Sequence, residues 1–297
     1  MKLLIFGVRG QLGQELSTLC EQHGLTAILC ARSECDITNI DQVFAAYRTA
    51  NPSVVINAAA YTNVDRAEAE PELSYQINRD GPKVLAEVSA TRQVPLIHVS
   101  SDFVFDGSKA DAYLETDAVA PLGIYGLSKE AGEVEIRKIQ DQHIIVRTGW
   151  VYGRFGRNFL KTMLDLSATR DGWGVVSDQI GTPTAANDLA SALLIAAEKA
   201  FKNEAKWGTY HFGGATEATW YDLAERIVLA QSQFTGRRPS VSAISSEDYP
   251  SAARRPLNSR LNSDLFATRF GMRGGAWQDR VPEIVRVIAA QKSSESL

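Results

Sequence analysis

Hydrophobic residues recur along this chain in two ways, as short apolar runs and as longer stretches with helical spacing. The run Lys2–Phe6 has the composition of a buried strand, and Leu12, Leu16 and Leu19 after it repeat at the spacing of one helix face. Further apolar runs predict strands over 25–31, 53–57, 95–99, 144–147, 173–177 and 208–212, and helical patterns cover 40–49, 72–92, 184–201 and 221–233. Strands that alternate with helices are typical of a parallel α/β sheet.

The order of these elements predicts a Rossmann-like, doubly wound parallel sheet with a smaller C-terminal α/β lobe. Residues 1–150 would form the dinucleotide-binding domain, and residues 184–213 would return to it. Residues 151–183 and 214–297, where short strands and helices alternate irregularly, would form the lobe that closes over a substrate. Within that lobe we expect a flexible, turn-rich loop over 245–263 and a frayed tail over 292–297.

Composition limits the classes of function. The chain has 297 residues and a formal net charge of −4. It has no Lys/Arg-rich run, so we expect no nucleic-acid partner. The apolar N-terminal run is too short for a signal peptide or a membrane span, which favours a cytoplasmic protein. Three cysteines without a C-x-x-C pair and four scattered histidines predict no metal ligand, and we interpret all four histidines as structural or surface residues.

A glycine turn follows the first strand, with the spacing Gly7-x-x-Gly10-x-x-Gly13. Glycines in this place let backbone N–H groups approach a pyrophosphate at a helix N-terminus. Arg32 stands at the end of the second strand, where an arginine can pair with the 2′-phosphate of NADP. The sequence therefore favours NADPH as the cofactor, while the nearby Glu34 leaves NADH possible.

Polar side chains follow the later strands at the edge where open α/β sheets bind ligands. The fourth strand delivers Ser100 and Ser101, and spacing alone does not choose between them as hydrogen-bond donors to a carbonyl oxygen. Tyr125 and Lys129 are four residues apart, which on a helix places their Cβ atoms about 5–6 Å apart. A positive charge near a phenol lowers its pKa, so this pair suits proton donation during carbonyl reduction.

Together these motifs resemble the extended short-chain dehydrogenase/reductases. The resemblance rests on the glycine turn, on Asn57-Ala58-Ala59-Ala60, on the run 100–107 and on Tyr125-x-x-x-Lys129. The segments 36–38, 60–65, 102–107, 147–153 and 181–184 are most similar to members that reduce a 4-keto-6-deoxy sugar linked to dTDP. These segments cover about the first two thirds of the chain.

The resemblance implies roles for individual residues. Tyr125 would donate the proton, Lys129 would bind the nicotinamide ribose and lower the pKa of Tyr125, and Ser101 would polarise the keto group. The cofactor would contact Gly7, Arg9, Gly10, Gln11, Leu12, Gly13, Arg32, Asp36, Ile37, Ala58, Ala59, Tyr61, Tyr125 and Lys129. The sugar would contact Thr62, Val64, Ser101, Phe103 and Trp150, although Trp150 also fits an ordinary core position. Apart from the resemblance, the basic cluster Arg254-Arg255 of the lobe suggests that Arg255 meets the diphosphate, with a solvated loop as the alternative that we disfavour.

The implied activity is reduction of the C4 keto group of a dTDP-sugar for a cell-surface polysaccharide. A sugar-nucleotide epimerase or dehydratase, or a non-catalytic regulatory subunit that binds NADP, are the alternatives. Some family members bind Mg²⁺ between two copies through a glutamate at the position of Glu15, which makes a homodimer possible. Asn187 stands where a second carboxylate is expected, so we assign no metal ligand.

Overall fold

A computed structural model describes residues 1–295. Residues 296 and 297 of the predicted frayed tail lie outside the described residues. The part of that tail that is described belongs to a helix ending at Glu295. Within residues 1–295, no helix combines the length and the apolar character that crossing a membrane requires.

Strands and helices alternate through most of the described chain. The strands are β1 (Lys2–Phe6), β2 (Thr26–Cys30), β3 (Val54–Asn57), β4 (Leu96–Ser101), β5 (His143–Thr148), β6 (Val151–Tyr152), β7 (Gly172–Val176), β8 (Ile180–Gly181), β9 (Thr184–Ala185), β10 (Gly208–His211), β11 (Ala218–Thr219) and β12 (Ser240–Ile244). The α-helices are α1 (Gln11–Gln22), α2 (Ile40–Ala50), α3 (Val64–Ala67), α4 (Pro71–Tyr75), α5 (Gly81–Arg92), α6 (Ile124–Ile139), α7 (Phe159–Thr169), α8 (Ala186–Phe201), α9 (Trp220–Thr235), α10 (Asp264–Phe270) and α11 (Trp277–Glu295).

Six of the strands form one parallel sheet in the spatial order β10-β5-β4-β3-β1-β2. Helices α1, α8 and α10 cover one face, where Leu16 and Leu193 are fully buried. Helices α2, α5 and α6 cover the other face through Val43, Leu85 and Ile136. Because both faces are covered by helices, the central strands β1 and β3 are mostly apolar and buried. The predicted doubly wound parallel sheet is confirmed. Residues 208–211 pair with β5 as strand β10.

A second apolar cluster lies outside this sheet. Leu160 of α7, Leu223 and Ile227 of α9, and Val281 of α11 are fully buried in it. Strands β7 and β12 pair in parallel beside these helices, and β6–β9 and β8–β11 form two further short pairs. The cluster gives the C-terminal half a core of its own. Assignment of this part to a substrate remains a prediction.

The helix predicted over 72–92 is interrupted by a π-helical turn at Gln76–Asp80. The side chain of Asn78 in this turn accepts a hydrogen bond from Tyr61 N at 2.8 Å and donates one to Tyr61 O at 3.0 Å. The backbone carbonyl of Asn78 also lies against Gly132 of α6, which leaves no space for a Cβ. The extra residue of the π-turn is thus fixed by contacts with distant segments, which helical periodicity does not reveal.

Candidate active site

The glycine turn lies at the carboxyl end of β1 and leads into α1. Gly7 has φ +85°, and a Cβ there would lie 2.5 Å from Ala59 N, so only glycine fits without rearrangement. The Gly10 N-cap of α1 makes no side-chain capping bond. The N–H groups of the first turn are therefore free of a side-chain cap, and the site fits a pyrophosphate at a helix N-terminus.

Arg32 lies two residues after the end of β2, and its side chain is 71% exposed. Its Nε lies 3.6 Å from the carboxylate of Asp36, which itself accepts hydrogen bonds from the N–H and hydroxyl of Thr38. Ile37 is buried against Gly81. Arg32 is thus held loosely at the rim, where it can turn toward an anionic group.

One large cavity extends from the glycine turn to the C-terminal half. Its volume is about 1050 Å³, and its wall includes Ala58 and Ala59 from the end of β3. Ligand pockets commonly measure about 300–1,000 Å³, so this cavity can take a large ligand or two adjacent ones. Two of the residues predicted to contact the cofactor are not in the wall. Gly13 packs against Gly7, and the Tyr61 phenol donates to Glu70 at 2.8 Å.

Ser101 and Tyr125 lie together where β4 ends and α6 begins. The Ser101 hydroxyl accepts a hydrogen bond from Phe103 N at 3.1 Å, and the Phe103 and Tyr125 rings meet edge to face at 5.8 Å. Gly126 allows α6 to approach the Phe103 carbonyl so closely that a Cβ has no space. The structure thus favours Ser101 as the hydroxyl next to Tyr125. Ser100 is buried and donates to Glu133 at 2.5 Å.

The phenol of Tyr125 is a weaker acid than free tyrosine. Burial raises its pKa to about 12, a hydrogen bond with Ser101 opposes that rise, and the charge of Asp102 adds to it. The pKa lowering that was expected from Lys129 is not seen in this structure. The phenol therefore keeps its proton at neutral pH and can act as a donor.

Lys129 is 1% exposed and lies one helical turn after Tyr125. Its Nζ donates to Val99 O at 2.8 Å and lies 3.3 Å from His98 Nε2. Burial lowers the pKa of Lys129 to about 8, and the nearby Glu133 opposes this shift. The amine is thus directed to β4, which explains why burial dominates the pKa of Tyr125.

Asp102 is a residue of the cavity wall that sequence analysis did not select. It is 3% exposed and its carboxylate accepts a hydrogen bond from the Ser101 hydroxyl at 3.1 Å. Burial raises the pKa of Asp102 to about 7, while the hydroxyls of Ser259 and Ser101 oppose the rise. Its place directly after Ser101, at the end of a central strand, was the signal that could have identified it.

Trp150 lies on the wall of the cavity, and its backbone has φ +51°. The indole stacks on Trp220 with ring centroids 3.5 Å apart and an interplanar angle of 2°, and its Nε1 donates to Ser259 at 3.1 Å. Gly181 lies directly against the indole. A left-handed conformation is costly for a bulky residue, and these contacts hold it. Nothing in the local sequence distinguishes Trp220 from other aromatic residues of an amphipathic helix.

Arg255 reaches the mouth of the cavity from the turn-rich segment of the C-terminal half. Its guanidinium lies 2.7 Å from the carboxylate of Asp65. The same carboxylate accepts bonds from the Ser251 hydroxyl at 2.9 Å and from Ala253 N at 3.2 Å. Thr62 and Val64, at the start of α3, line the same part of the wall. Asp65 therefore fastens this segment beside the residues predicted to contact a sugar.

Glu15 does not fit a magnesium site. Its two carboxylate oxygens accept bonds from Arg154 at 3.1 and 3.0 Å. Among residues 1–295, no three His, Cys, Asp or Glu side chains are grouped closely enough to hold a metal ion. Asn187 is exposed.

A tyrosine and a lysine one helical turn apart, above the glycine turn of a parallel sheet, place this protein among the extended short-chain dehydrogenase/reductases. Comparison with known proteins narrows that class. The family model described as the RmlD substrate binding domain matches residues 1–290, so the chain belongs to that family. The resemblance recognised in the sequence is confirmed.

Individual relatives agree in sequence and in structure. A dTDP-4-dehydrorhamnose reductase of Aggregatibacter actinomycetemcomitans is 44% identical over 288 residues, which cover 95% of this chain and 98% of that protein. A crystal structure of a dTDP-4-dehydrorhamnose reductase from Clostridium acetobutylicum superposes with a TM-score of 0.90 at 35% identity, covering 97% of this chain and 99% of the other. The enzyme of that name from Bacillus anthracis, in complex with NADP, gives 0.89 at 32% identity, covering 97% and 100%.

Proposed function

We propose that this protein is an NADPH-dependent reductase that converts dTDP-4-dehydro-β-L-rhamnose to dTDP-L-rhamnose. The observation that carries the proposal is that Ser101, Tyr125 and Lys129 line the same cavity as the glycine turn. A carbonyl placed beside Ser101 and Tyr125 would thus lie next to a bound dinucleotide. The names of the relatives give the substrate.

The glycine turn and the open N-terminus of α1 would hold the pyrophosphate. Arg32 would meet the 2′-phosphate that distinguishes NADPH from NADH, although its exposure also leaves NADH possible. The small side chains of Ala58 and Ala59 leave space along the sheet edge. When bound, the reduced nicotinamide supplies the hydride.

Tyr125 would donate its proton to the oxygen that was the C4 carbonyl. Because burial keeps the phenol protonated, the proton is available at neutral pH. The Ser101 hydroxyl, which donates to Asp102 at 3.1 Å in this structure, would turn its proton to that oxygen when a substrate binds, and so stabilise its developing charge. Asp102, next to Ser101, would accept hydrogen bonds from sugar hydroxyls.

The remaining wall would select the sugar nucleotide. Thr62, Val64 and Phe103 would form one side of the sugar pocket, and the indole of Trp150 the other. Arg255 would exchange part of its contact with Asp65 for the diphosphate. In this arrangement residues 1–150 with 184–213 bind the cofactor, and the rest of the chain closes the substrate half.

Oxidation of NADPH, followed by its absorbance, tests the proposal. The substrate is dTDP-linked 4-keto-6-deoxy-L-mannose, and NADH is run in parallel. We expect rapid oxidation that depends on the sugar nucleotide, and faster turnover with NADPH. No oxidation, with NADPH binding verified by calorimetry, would contradict the proposal. NAD that stays bound through desalting would indicate an epimerase or dehydratase, and a stoichiometric protein partner without turnover a regulatory subunit.

A further inference from the structure

Two buried polar residues lie directly behind Lys129 and have no place in the mechanism above. Asn57 ends β3 and His98 lies opposite it in β4, and both are fully buried. Asn57 Nδ2 lies 3.0 Å from His98 Nδ1. A buried histidine between two polar partners has a defined tautomer, because its one proton must suit both neighbours.

The orientation of the Asn57 amide is fixed by the backbone. Its Oδ1 accepts a hydrogen bond from Ala59 N at 3.0 Å. A flipped amide would place its NH₂ group against that N–H, donor against donor. Nδ2 must therefore face His98, and it can only donate, so His98 Nδ1 accepts. The single proton of neutral His98 consequently lies on Nε2.

That Nε2–H points at Lys129, whose Nζ is 3.3 Å away. An ammonium has three donors and no lone pair, so it would oppose the Nε2–H. A neutral amine accepts from Nε2–H through its lone pair and still donates to Val99 O at 2.8 Å. Only the neutral amine lets the hydrogen-bonding groups of Asn57, His98 and Lys129 all find a partner. This matters because buried donors without an acceptor are costly.

We propose that His98, oriented by Asn57, is a positioning residue that favours the neutral amine of Lys129 and so sets the pH at which Lys129 gains and loses a proton. The inference rests in part on the proposed function, because its effect on turnover requires a proton to return to Tyr125. After Tyr125 gives its proton to the substrate oxygen, the ammonium of Lys129 would return a proton to it through the cavity that both residues line, which leaves the neutral amine that His98 favours. A lysine with an ordinary pKa of about 10.4 would release that proton less readily.

The other charged groups near Lys129 do not account for this effect. Glu133, one turn further along α6, favours the ammonium. Its carboxylate is already engaged by Arg147 of β5, by Arg137 and by Ser100. Asp102, after β4, acts on Tyr125. In the described segment 71–92, which packs against α6, no titratable group shifts the pKa of Lys129. Burial therefore opposes protonation of Lys129, and we infer from the geometry that the His98 contact adds to this effect.

The tautomer can be measured without any enzymatic activity. The full-length protein would be labelled with ¹⁵N in the histidine rings, and His98 would be assigned by its absence in His98→Gln. At pH 9 we expect a pyrrole-type Nε2 and a pyridine-type Nδ1 for this ring. The reverse pattern would overturn the proposal, and the tautomer itself is read in the wild-type protein.

The substitution Asn57→Asp is expected to move the ring proton of His98 from Nε2 to Nδ1. An aspartate still accepts from Ala59 N, but it also accepts from His98 Nδ1, which moves the ring proton there and leaves Nε2 free to accept from an ammonium. We expect the NMR titration midpoint of the Lys129 Cε signal to rise by about one pH unit or more. Tyr47→Phe is the control, because it removes another buried hydrogen bond, 2.6 Å to Ser89, on the α2/α5 side of the sheet. An unmoved midpoint in Asn57→Asp, or an equal shift in Tyr47→Phe, would overturn the proposal.

Turnover supplies a second, separable readout. We expect the alkaline limb of the kcat profile to move to higher pH in Asn57→Asp by the same interval as the Lys129 midpoint, and to stay in place in Tyr47→Phe. A limb that stays in place in Asn57→Asp while the Lys129 midpoint moves would overturn the role in turnover. If the wild type does not reduce the sugar nucleotide at all, the proposed function fails, and the tautomer still decides whether His98 controls Lys129.

Discussion

The two ends of the cavity are assembled from segments at very different separations along the chain. At the end with the glycine turn, the wall comes from residues that directly follow β1, β2 and β3. At the other end, Trp150 is held by a hydrogen bond to a residue 109 positions away, and Arg255 by one 190 positions away. The first end is therefore encoded in short motifs, while the second depends on how distant segments pack.

The largest effect is expected where the two ends meet. Tyr125→Phe removes the proton donor but leaves the ring that packs against Phe103. We expect kcat to fall by about 10²–10⁴-fold, the usual contribution of general acid catalysis. The dissociation constant for NADPH, measured by calorimetry, should change little. Equal losses of turnover and NADPH binding would mean that Tyr125 contributes to cofactor binding and not to proton donation.

The substitution Gly7→Ala should disrupt NADPH binding at the end of the cavity that contains the glycine turn. The new Cβ would sit 2.5 Å from Ala59 N in a residue with φ +85°. We expect the free energy of unfolding to fall by about 1–3 kcal/mol and NADPH binding to weaken at least tenfold. Gly24→Ala is the matched control, because Gly24 has φ +61° but open space around it. If Gly24→Ala weakens NADPH binding as much, the loss comes from general instability.

The substitution Arg255→Gln should weaken binding of the sugar nucleotide without affecting binding of NADPH. The change removes the charge that we propose for the diphosphate and the 2.7 Å contact with Asp65. We expect KM for the sugar nucleotide to rise about tenfold, since hydrogen bonds to charged groups contribute about 1.5–3 kcal/mol and this group is partly exposed. NADPH affinity should be unchanged. The control is Arg238→Gln, an exposed arginine away from the cavity, and a similar rise in KM there would count against a specific role.

The smallest effect is expected from Trp220→Leu. Trp220 supports Trp150 through the 3.5 Å stack, and aromatic pairs contribute about 0.5–1.5 kcal/mol beyond their buried area. We expect KM for the sugar nucleotide to rise about two- to tenfold while kcat at saturation stays near that of the wild type. Trp277→Leu, in the apolar cluster of the C-terminal half, controls for lost stability. A loss in kcat alone would mean that the stack does not position Trp150 for binding.

Sequence reasoning succeeded where chemistry follows from position along one element. The glycine turn, the Ser100–Ser101 pair and the Tyr125–Lys129 pair are each tied to the end of a strand or the start of a helix, so local patterns could select them, and their roles stay predictions. The expected effect of Lys129 on the pKa of Tyr125 stays a prediction, while burial, which is a property of the packed site, raises that pKa in this structure. His98 was interpreted as structural, since its importance depends on the partners that β3 and α6 bring to it.

Other features had no local signal. The π-turn at Gln76–Asp80, the stack of Trp220 on Trp150 and the contact of Arg255 with Asp65 all depend on segments that lie far apart in sequence. Asp102 was an exception, because it follows Ser101 at a strand end and the same rule that selected Ser101 applies to it. Helical and strand periodicities describe one element at a time and carry no information about such pairings.

The parallel contact between Trp150 and Trp220 also gives the protein an optical reporter. Two indoles 3.5 Å apart and only 2° from parallel are close enough to couple their ultraviolet transitions. A sugar nucleotide that settles against Trp150 would disturb this coupling and change the near-ultraviolet circular dichroism. Filling of the substrate end can therefore be followed spectroscopically in Tyr125→Phe, where turnover is suppressed and the bound sugar stays intact.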